Sequence, residues 1–133
     1  MILLDTHAWV WWMSDPSRLP EVAQRAIQDS LDAGAAVHVS VISTWEVAML
    51  VARGRLELTM GLDGWIGLAE SAPEIAFVAV DNRIALRAVR LEGFAHRDPA
   101  DRLIVATALE VGATLVTADA RLRAYEPLST IWD

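Results

Sequence analysis

The chain has 133 residues, a net charge of −7 and no cysteine, which excludes a disulfide scaffold, a thiolate zinc site and a cysteine nucleophile. All 11 basic residues are arginine, so mechanisms that depend on lysine, such as a P-loop or a Schiff base, are excluded as well. The length suits one hydrophobic core, and we expect residues 1–133 to form a single domain. The longest apolar runs are too short to cross a bilayer, and the N-terminus lacks a basic leader region. A cytoplasmic protein is therefore expected.

Short apolar segments alternate with helical segments along the chain. Strands are predicted at residues 1–4, 37–39, 75–80 and 114–117, with an extended segment at 56–58 and an edge strand at 131–132. Helices are predicted at 6–13, from 20 to 33, and at 43–52, 62–72, 81–91 and 98–111, with a short helical turn after residue 119. This alternation predicts a three-layer α/β domain, in which helices cover a mostly parallel sheet of four to five strands.

The stretch from Arg97 to Glu110 has the clearest pattern in the chain. Asp98 suits the N-cap of a helix and Pro99 suits its first position. The residues that follow Asp101 are apolar almost all round the helix, as in a buried helix. Asp101 lies one turn along from Asp98 on the same face, where it would complement the helix dipole or serve a site.

Five acidic residues are predicted to meet at one edge of the sheet. Asp5 ends the first strand, Asp119 closely follows the fourth, and Asp98 and Asp101 begin the helix that leads into the fourth. Glu46 is placed in the first turn of the helix after the second strand. Ligand sites in open parallel sheets form beyond the carboxyl ends of the strands. Carboxylates without sulfur ligands suit Mg²⁺ or Mn²⁺, which could activate water and stabilise charge on a phosphodiester.

Each of these acids also has a purely structural explanation. Asp98 before a proline is an ordinary helix cap, and Asp5 could cap the first helix. Ser43 and Glu46 have the spacing of a capping box, and Asp119 could be a turn residue. The three histidines show no metal-ligand spacing and are predicted to pack or to form hydrogen bonds. The common location of the acids is what favours a site.

Four segments together resemble the PIN-domain ribonucleases. They are Asp5-Thr6-His7, Ser43-Thr44-Trp45-Glu46, the run from Asp101 to Ala108, and Leu115-Val116-Thr117-Ala118-Asp119. The short length and the Asp98-Pro99-Ala100-Asp101-Arg102 segment look like the VapC-type toxins of bacterial toxin–antitoxin pairs. The resemblance covers essentially the whole chain. It implies a PIN-like, Rossmann-like fold, dependence on Mg²⁺ or Mn²⁺, cleavage of RNA, homodimerisation and a cognate VapB-type antitoxin.

The resemblance also implies roles for individual residues. The metal ligands and catalytic residues would be Asp5, Glu46, Asp101 and Asp119, with Asp98 as an accessory or capping acid. Hydrogen-bond donors behind these acids would be Thr6, Ser43, Thr117 and Arg102, where Arg102 pairs with an acid or contacts a substrate phosphate. The antitoxin is expected in an apolar groove formed by the aromatic helix at Trp9–Trp12 and by Trp45.

Two other classes of protein share parts of this pattern. A receiver-like signalling domain would need an acidic pair after the first strand and a lysine after the fifth, whereas Asp5 stands alone and lysine is absent. A haloacid-dehalogenase-type phosphatase would need an Asp-x-Asp motif, which Thr6-His7 does not provide. A catalytically inactive PIN-like binding module remains the main alternative, although the intact set of acids disfavours it.

Overall fold

The computed structural model describes residues 1–133 and shows a five-stranded parallel sheet. The strands are β1 (Ile2–Leu4), β2 (Val37–Ser40), β3 (Ile75–Val78), β4 (Thr114–Val116) and β5 (Thr130–Ile131). Their order is β3-β2-β1-β4-β5, and all four pairings are parallel. The predicted three-layer α/β fold is therefore confirmed.

Seven helices and one 3₁₀ turn connect the strands. They are α1 (Thr6–Ser14), the 3₁₀ turn (Pro16–Arg18), α2 (Glu21–Asp32), α3 (Val41–Ala52), α4 (Leu62–Ser71), α5 (Asn82–Val89), α6 (Pro99–Val111) and α7 (Ala120–Arg123). Helix α6 ends as predicted at Gly112, whose φ of 70° lies in the left-handed region that glycine adopts at a helix end. No helix combines the length and the apolar character that a membrane crossing requires.

Helix α3 begins two residues earlier than predicted. Ser40 is its N-cap, and the Ser40 side chain accepts a hydrogen bond from the amide of Ile42. The capping box considered as a structural explanation for Ser43 and Glu46 is therefore not formed, because the N-cap is Ser40 and both residues lie inside the helix. Glu46 is in the second turn rather than the first, so helix capping does not explain why an acid stands there.

Two other boundaries differ from the prediction. Residues 56–58 form no strand, and Leu56 and Leu58 instead pack against the hydrophobic core. The third strand ends at Val78 rather than at residue 80. Neither difference moves a candidate site residue.

The core lies on both faces of the sheet. On one face Trp9 is completely buried and contacts Trp65 and Phe77, at centroid distances of 4.7 and 5.7 Å. The expectation that Trp9 helps to form a partner groove is therefore wrong, since a side chain of this size fills the core before it can face outward. On the other face Ile104 and Val105 of α6 pack with the buried residues around Leu3 and Leu115.

The strand order reverses between β1 and β4. From β1 the chain moves to β2 and β3 on one side of the sheet, and it later returns to β4 and β5 on the other side. The crossover helices diverge at such a point and leave a crevice beyond the carboxyl ends of the two central strands. This crevice is where the acidic residues are brought together.

Candidate acidic site at the carboxyl edge of the sheet

All five predicted acids line one cavity of about 390 Å³. Its lining includes Asp5, Thr6, His7, Trp11, Glu46, Asp98, Asp101, Ile104, Ala118, Asp119 and Arg121. Four parts of the fold supply the acids: the end of β1, helix α3, the start of α6 and the turn after β4. The site is thus assembled from distant segments, as strand-end sites in α/β folds are.

Asp5 is the most enclosed of these acids. It is 9% exposed, and its Oδ1 accepts a hydrogen bond of 2.9 Å from the amide of Ala8, which makes it the N-cap of α1. Burial raises the pKa of the Asp5 carboxyl above its usual value, and hydrogen bonds with the Thr117 side chain and the Ala8 amide oppose that rise. Asp5 thus caps α1 and also lines the acidic cavity.

Glu46 is held by the hydroxyl group of Thr6. Thr6 Oγ1 lies 2.5 Å from Glu46 Oε1 and 2.9 Å from Ser43 Oγ, and both hydroxyl residues are buried. Thr6 is the donor toward both partners, and because its hydroxyl carries a single proton, Glu46 and Ser43 share that proton. The predicted donor Thr6 thus orients Glu46, whereas Ser43 accepts from Thr6 and does not contact the acid.

Asp101 contacts a histidine that the sequence did not assign to the site. His96 Nε2 lies 2.5 Å from Asp101 Oδ2, and the two side chains are only 12% and 22% exposed. Ligand atoms of His96, Asp101 and Asp119 all lie within 4.8 Å of one another. The only sequence signal was the presence of a histidine five residues before Asp101, and that spacing does not place the ring.

Asp98 is an N-cap, as the sequence suggested. Its Oδ1 accepts a hydrogen bond of 3.0 Å from the amide of Asp101, and the residue is exposed. Asp98 also lines the cavity. Its main contact is therefore with the helix that carries Asp101.

Asp119 is held by the arginine two residues later. Its Oδ1 accepts from the Arg121 amide at 2.8 Å, and its Oδ2 lies 3.4 Å from Arg121 Nη2. Burial acts to raise the pKa of Asp119, but the hydrogen bonds and the charge of Arg121 outweigh burial and lower this pKa overall. The buried Thr117 hydroxyl accepts a hydrogen bond from the Asp119 amide at 3.1 Å, so Thr117 fixes the turn that carries the acid.

Arg102 has a different role from both of those expected for it. It pairs with no acid, and it does not line the acidic cavity. Its guanidinium donates to the backbone carbonyls of Ala88, Phe94 and His96 at 2.8, 3.0 and 3.0 Å. The planar fork of an arginine suits such a cluster of acceptors. Arg102 therefore fastens the segment between α5 and α6, which includes His96.

Negative charge is concentrated in the cavity. Burial raises the pKa of Glu46, with repulsion from Asp101 and Asp98 adding to the effect and the Thr6 hydrogen bond opposing it. Burial likewise raises the pKa of Asp101, with the His96 hydrogen bond opposing it and repulsion from Asp98 and Asp119 adding to it. A bound cation would relieve the repulsion among these half-buried carboxylates, so the cavity favours cation binding.

The donor set fits a hard divalent cation. Oε2 of Glu46 and Oδ1 of Asp101 accept no hydrogen bond from the protein, while the other oxygen of each carboxylate is held in place. Oriented carboxylates with a free oxygen are the ligands that Mg²⁺ and Mn²⁺ prefer. The residues present therefore fit a hard divalent cation of the kind that the sequence suggested.

Residues 2–127 match the PIN domain family, and the chain belongs to that family. Within it, the chain is similar to proteins of the VapC type. It is 37% identical over 134 residues to Ribonuclease VapC22 of Mycobacterium tuberculosis, with 98% of each chain covered. This confirms the resemblance that the four sequence segments suggested.

Solved structures show the same fold. VapBC2 from Rickettsia felis, bound to a DNA fragment from its promoter, has a TM-score of 0.74 at 17% identity, with all of both chains covered. FitAcB from Neisseria gonorrhoeae has a TM-score of 0.65 at 26% identity, covering 98% of this chain and 96% of that one. A toxin–antitoxin complex from Klebsiella pneumoniae has a TM-score of 0.63 at 19% identity, covering 98% and 96%.

Proposed function

We propose that this chain is a metal-dependent endoribonuclease and the toxin of a toxin–antitoxin pair that acts in the cytoplasm as a single domain. The observation that carries the proposal is the cavity in which Asp5, Glu46, Asp101 and Asp119 meet. The ribonuclease name of the relative at 37% identity supports the same reaction class. The receiver-like and phosphatase alternatives have no support from the fold family.

The four acids would hold the divalent ion, and the protein keeps each of them oriented. When bound, Mg²⁺ or Mn²⁺ supplies positive charge for the phosphodiester and activates water for its hydrolysis. The Ala8 amide fixes Asp5, Thr6 fixes Glu46 and His96 fixes Asp101. Prior orientation of this kind lowers the cost of forming the transition state, because the groups need not reorganise during the reaction.

The acidic net charge opposes RNA binding, and two features answer this objection. A divalent ion would offset part of the negative charge in the cavity and present a positive charge to a phosphate. Arg121 lies at the cavity wall with its side chain 64% exposed, so it is available to a phosphate. Arg53, Arg55 and Arg97, which are exposed, could add contacts to the RNA backbone.

An apolar groove supports the proposal of an antitoxin partner. The groove has a volume of about 350 Å³ and lies between α1 and α4, lined by Trp12, Met13, Leu68, Ser71, Ala72, Glu74 and Ile75. Leu68, which lines this groove, is 58% exposed and therefore accessible to a partner. We expect Leu68→Glu to weaken binding of the cognate VapB-type antitoxin without unfolding the chain.

A second apolar surface supports homodimerisation, and it includes Trp45, which was expected in the antitoxin groove but does not line it. Val41 and Trp45 lie one turn apart on α3 and are 41% and 55% exposed. Tryptophan is enriched at protein–protein interfaces, so a half-exposed tryptophan indicates a candidate interface. Sedimentation of the free protein is expected to show a dimer, and Trp45→Asp is expected to shift it toward the monomer. A wild-type chain that sediments as a monomer at all concentrations would contradict this part of the proposal.

The proposed reaction is tested by cleavage of a cellular RNA pool with purified, antitoxin-free protein. We expect cutting with Mg²⁺ or Mn²⁺ and none with chelator. Asp101→Asn should be inactive, and Glu21→Gln, which alters an exposed acid on α2, should retain activity. Folded wild-type protein that cuts neither this pool nor defined transfer and ribosomal RNAs with either metal would favour the inactive binding module.

A further inference from the structure

A second groove adjoins the acidic cavity. It has a volume of about 440 Å³, within the range of small-molecule sites. One wall is the segment Gly93, Phe94, Ala95 and His96, and the other is formed by Arg121, Ala124 and Tyr125 at α7. None of the four acids proposed as metal ligands lines this groove.

Two aromatic side chains line this groove, the half-buried Tyr125 and Phe94, which is only 8% exposed, and both are held in place. The rings of Phe94 and Tyr125 are 4.9 Å apart, and those of Phe94 and His96 are 5.8 Å apart and nearly perpendicular. Tyr125 donates its hydroxyl proton to the Glu92 carbonyl at 2.8 Å. Arg102 holds the carbonyls of Phe94 and His96, as described above. A groove whose walls are held in this way loses little conformational entropy when it binds a ligand.

Two residues connect the groove to the acidic cavity. Arg121 lines both spaces, and its distances of 3.4 and 3.5 Å to Asp119 leave it weakly held. His96 lines the groove while its ring contacts Asp101. A ligand that occupied both spaces would therefore pass its connecting group beside the Arg121 guanidinium.

We propose that this groove binds the base of a nucleotide next to the phosphodiester in the acidic cavity, with Arg121 contacting a phosphate between them. The inference rests on the proposed ribonuclease function and names part of its substrate site. Single-stranded RNA is bound by stacking its bases on aromatic side chains and arginine planes. Arg121 is the one permanently charged side chain in the groove lining, so the groove favours an anionic ligand.

The chain offers a matched pair of variants to test the groove. Ala124 is exposed at the end of α7 and lines the groove, so Ala124→Trp should fill it. Ala33 is exposed at the end of α2 and lines no cavity described above. The two alanines have nearly the same backbone angles: φ is −79° in both, and ψ is −13° at Ala124 and 0° at Ala33. Ala33→Trp therefore controls for placing a tryptophan at a helix end.

Binding can be followed without any cleavage. The four ribonucleoside 5′-monophosphates and inorganic phosphate would be titrated in Mg²⁺ while backbone amide chemical shifts are recorded. We expect at least one nucleotide to shift the amides of Gly93, Ala95 and Ala124, whereas phosphate shifts only those near Arg121. Ala124→Trp should weaken nucleotide binding by about tenfold or more, the loss expected for one base–aromatic stack, and Ala33→Trp should not. No shift with any nucleotide, or equal affinity in Ala124→Trp, would overturn the inference.

Cleavage kinetics separate this inference from the proposed function. If the wild type cuts RNA, Ala124→Trp should raise KM or change the preferred cleavage position, and Ala33→Trp should match the wild type. Equal KM and equal cleavage positions in both variants would reject the base groove and leave the ribonuclease intact. A wild type that binds nucleotides in the groove but cuts no RNA would instead reject the proposed function alone.

Discussion

His96 Nε2 lies 2.5 Å from Asp101 Oδ2, and this contact joins the loop before α6 to the first turn of that helix. It leaves Asp101 Oδ1 free while fixing the carboxylate plane. In metalloenzymes, groups that orient a ligand in this way are worth 10–100-fold in metal affinity or activity. His96 is therefore expected to be a positioning residue for Asp101.

The first prediction concerns the loss of this contact. His96→Ala should reduce both Mn²⁺ affinity and kcat/KM by roughly 10- to 100-fold. His96→Gln, which keeps a donor on a side chain of similar reach, should recover part of both. Titration calorimetry with Mn²⁺ and cleavage assays on a single RNA measure the two effects. If Mn²⁺ affinity is unchanged in His96→Ala, His96 does not position Asp101 for metal binding.

The second prediction concerns Asp5. Asp5→Asn should lower cleavage by roughly 100-fold or more, because removing a ligand costs more than removing a group behind it. The melting temperature in chelator should be unchanged or higher, because asparagine still caps α1 and relieves the repulsion among buried carboxylates. Thermal unfolding in chelator measures this. A large drop in melting temperature would show that Asp5 serves mainly as a structural cap.

The third prediction is a pH dependence of the metal-free protein. Burial raises the pKa values of Asp5, Glu46 and Asp101 in the folded chain above their usual values. The folded state therefore keeps protons that the unfolded state releases, and the free energy of unfolding should fall as pH rises from about 4 through the raised values. Asp119, whose pKa is lowered, has the opposite effect, which is confined to pH values below about 4.

Denaturant unfolding at a series of pH values in chelator measures this slope. Asp5→Asn should make the slope shallower, and saturating Mg²⁺ should flatten it because the ion favours the ionised carboxylates. A metal-free stability that rises with pH between 4 and 7 would be inconsistent with crowded acids.

The fourth prediction separates capping from metal binding at Asp98. Its contact with the Asp101 amide is that of an N-cap. Asp98→Ala should cost about 1 kcal/mol of unfolding free energy, and Asp98→Ser should restore most of it. Asp98→Ser should also cut RNA within a few-fold of the wild type. If the serine variant is stable but inactive, Asp98 is a ligand rather than a cap.

The order of strands and helices and the parallel sheet could be predicted from local sequence patterns. Apolar strands such as the one before Asp5 alternate with helices, and such an alternation has few alternatives to a parallel sheet. The acids at strand ends could be expected to meet because the carboxyl ends of parallel strands share an edge. The sequence thus places Asp5 and Asp119 near each other without any knowledge of side-chain contacts.

The remaining details depend on tertiary contacts that no local pattern encodes. Ser40 and Ser43 are equally good caps in isolation, and only the end of β2 decides between them. The position of His96 depends on a loop whose path is fixed by Arg102. From the sequence, Arg102 was expected to pair with an acid or to contact a phosphate. Its actual partners are backbone carbonyls, and a sequence does not show which carbonyls a loop leaves unpaired.

Asp5, Glu46, Asp101 and Asp119, which come from separate parts of the fold, are expected to bind a divalent cation together. The most direct test is titration calorimetry of antitoxin-free protein with Mn²⁺, comparing the wild type with Asp5→Asn, Glu46→Gln, Asp101→Asn and Asp119→Asn. Glu21→Gln serves as the control outside the cavity. We predict saturable binding that each of the four variants weakens by about tenfold or more and the control leaves unchanged. If folded wild-type protein shows no saturable Mn²⁺ binding, or if all four variants bind Mn²⁺ as tightly as the wild type, these carboxylates do not form a metal site.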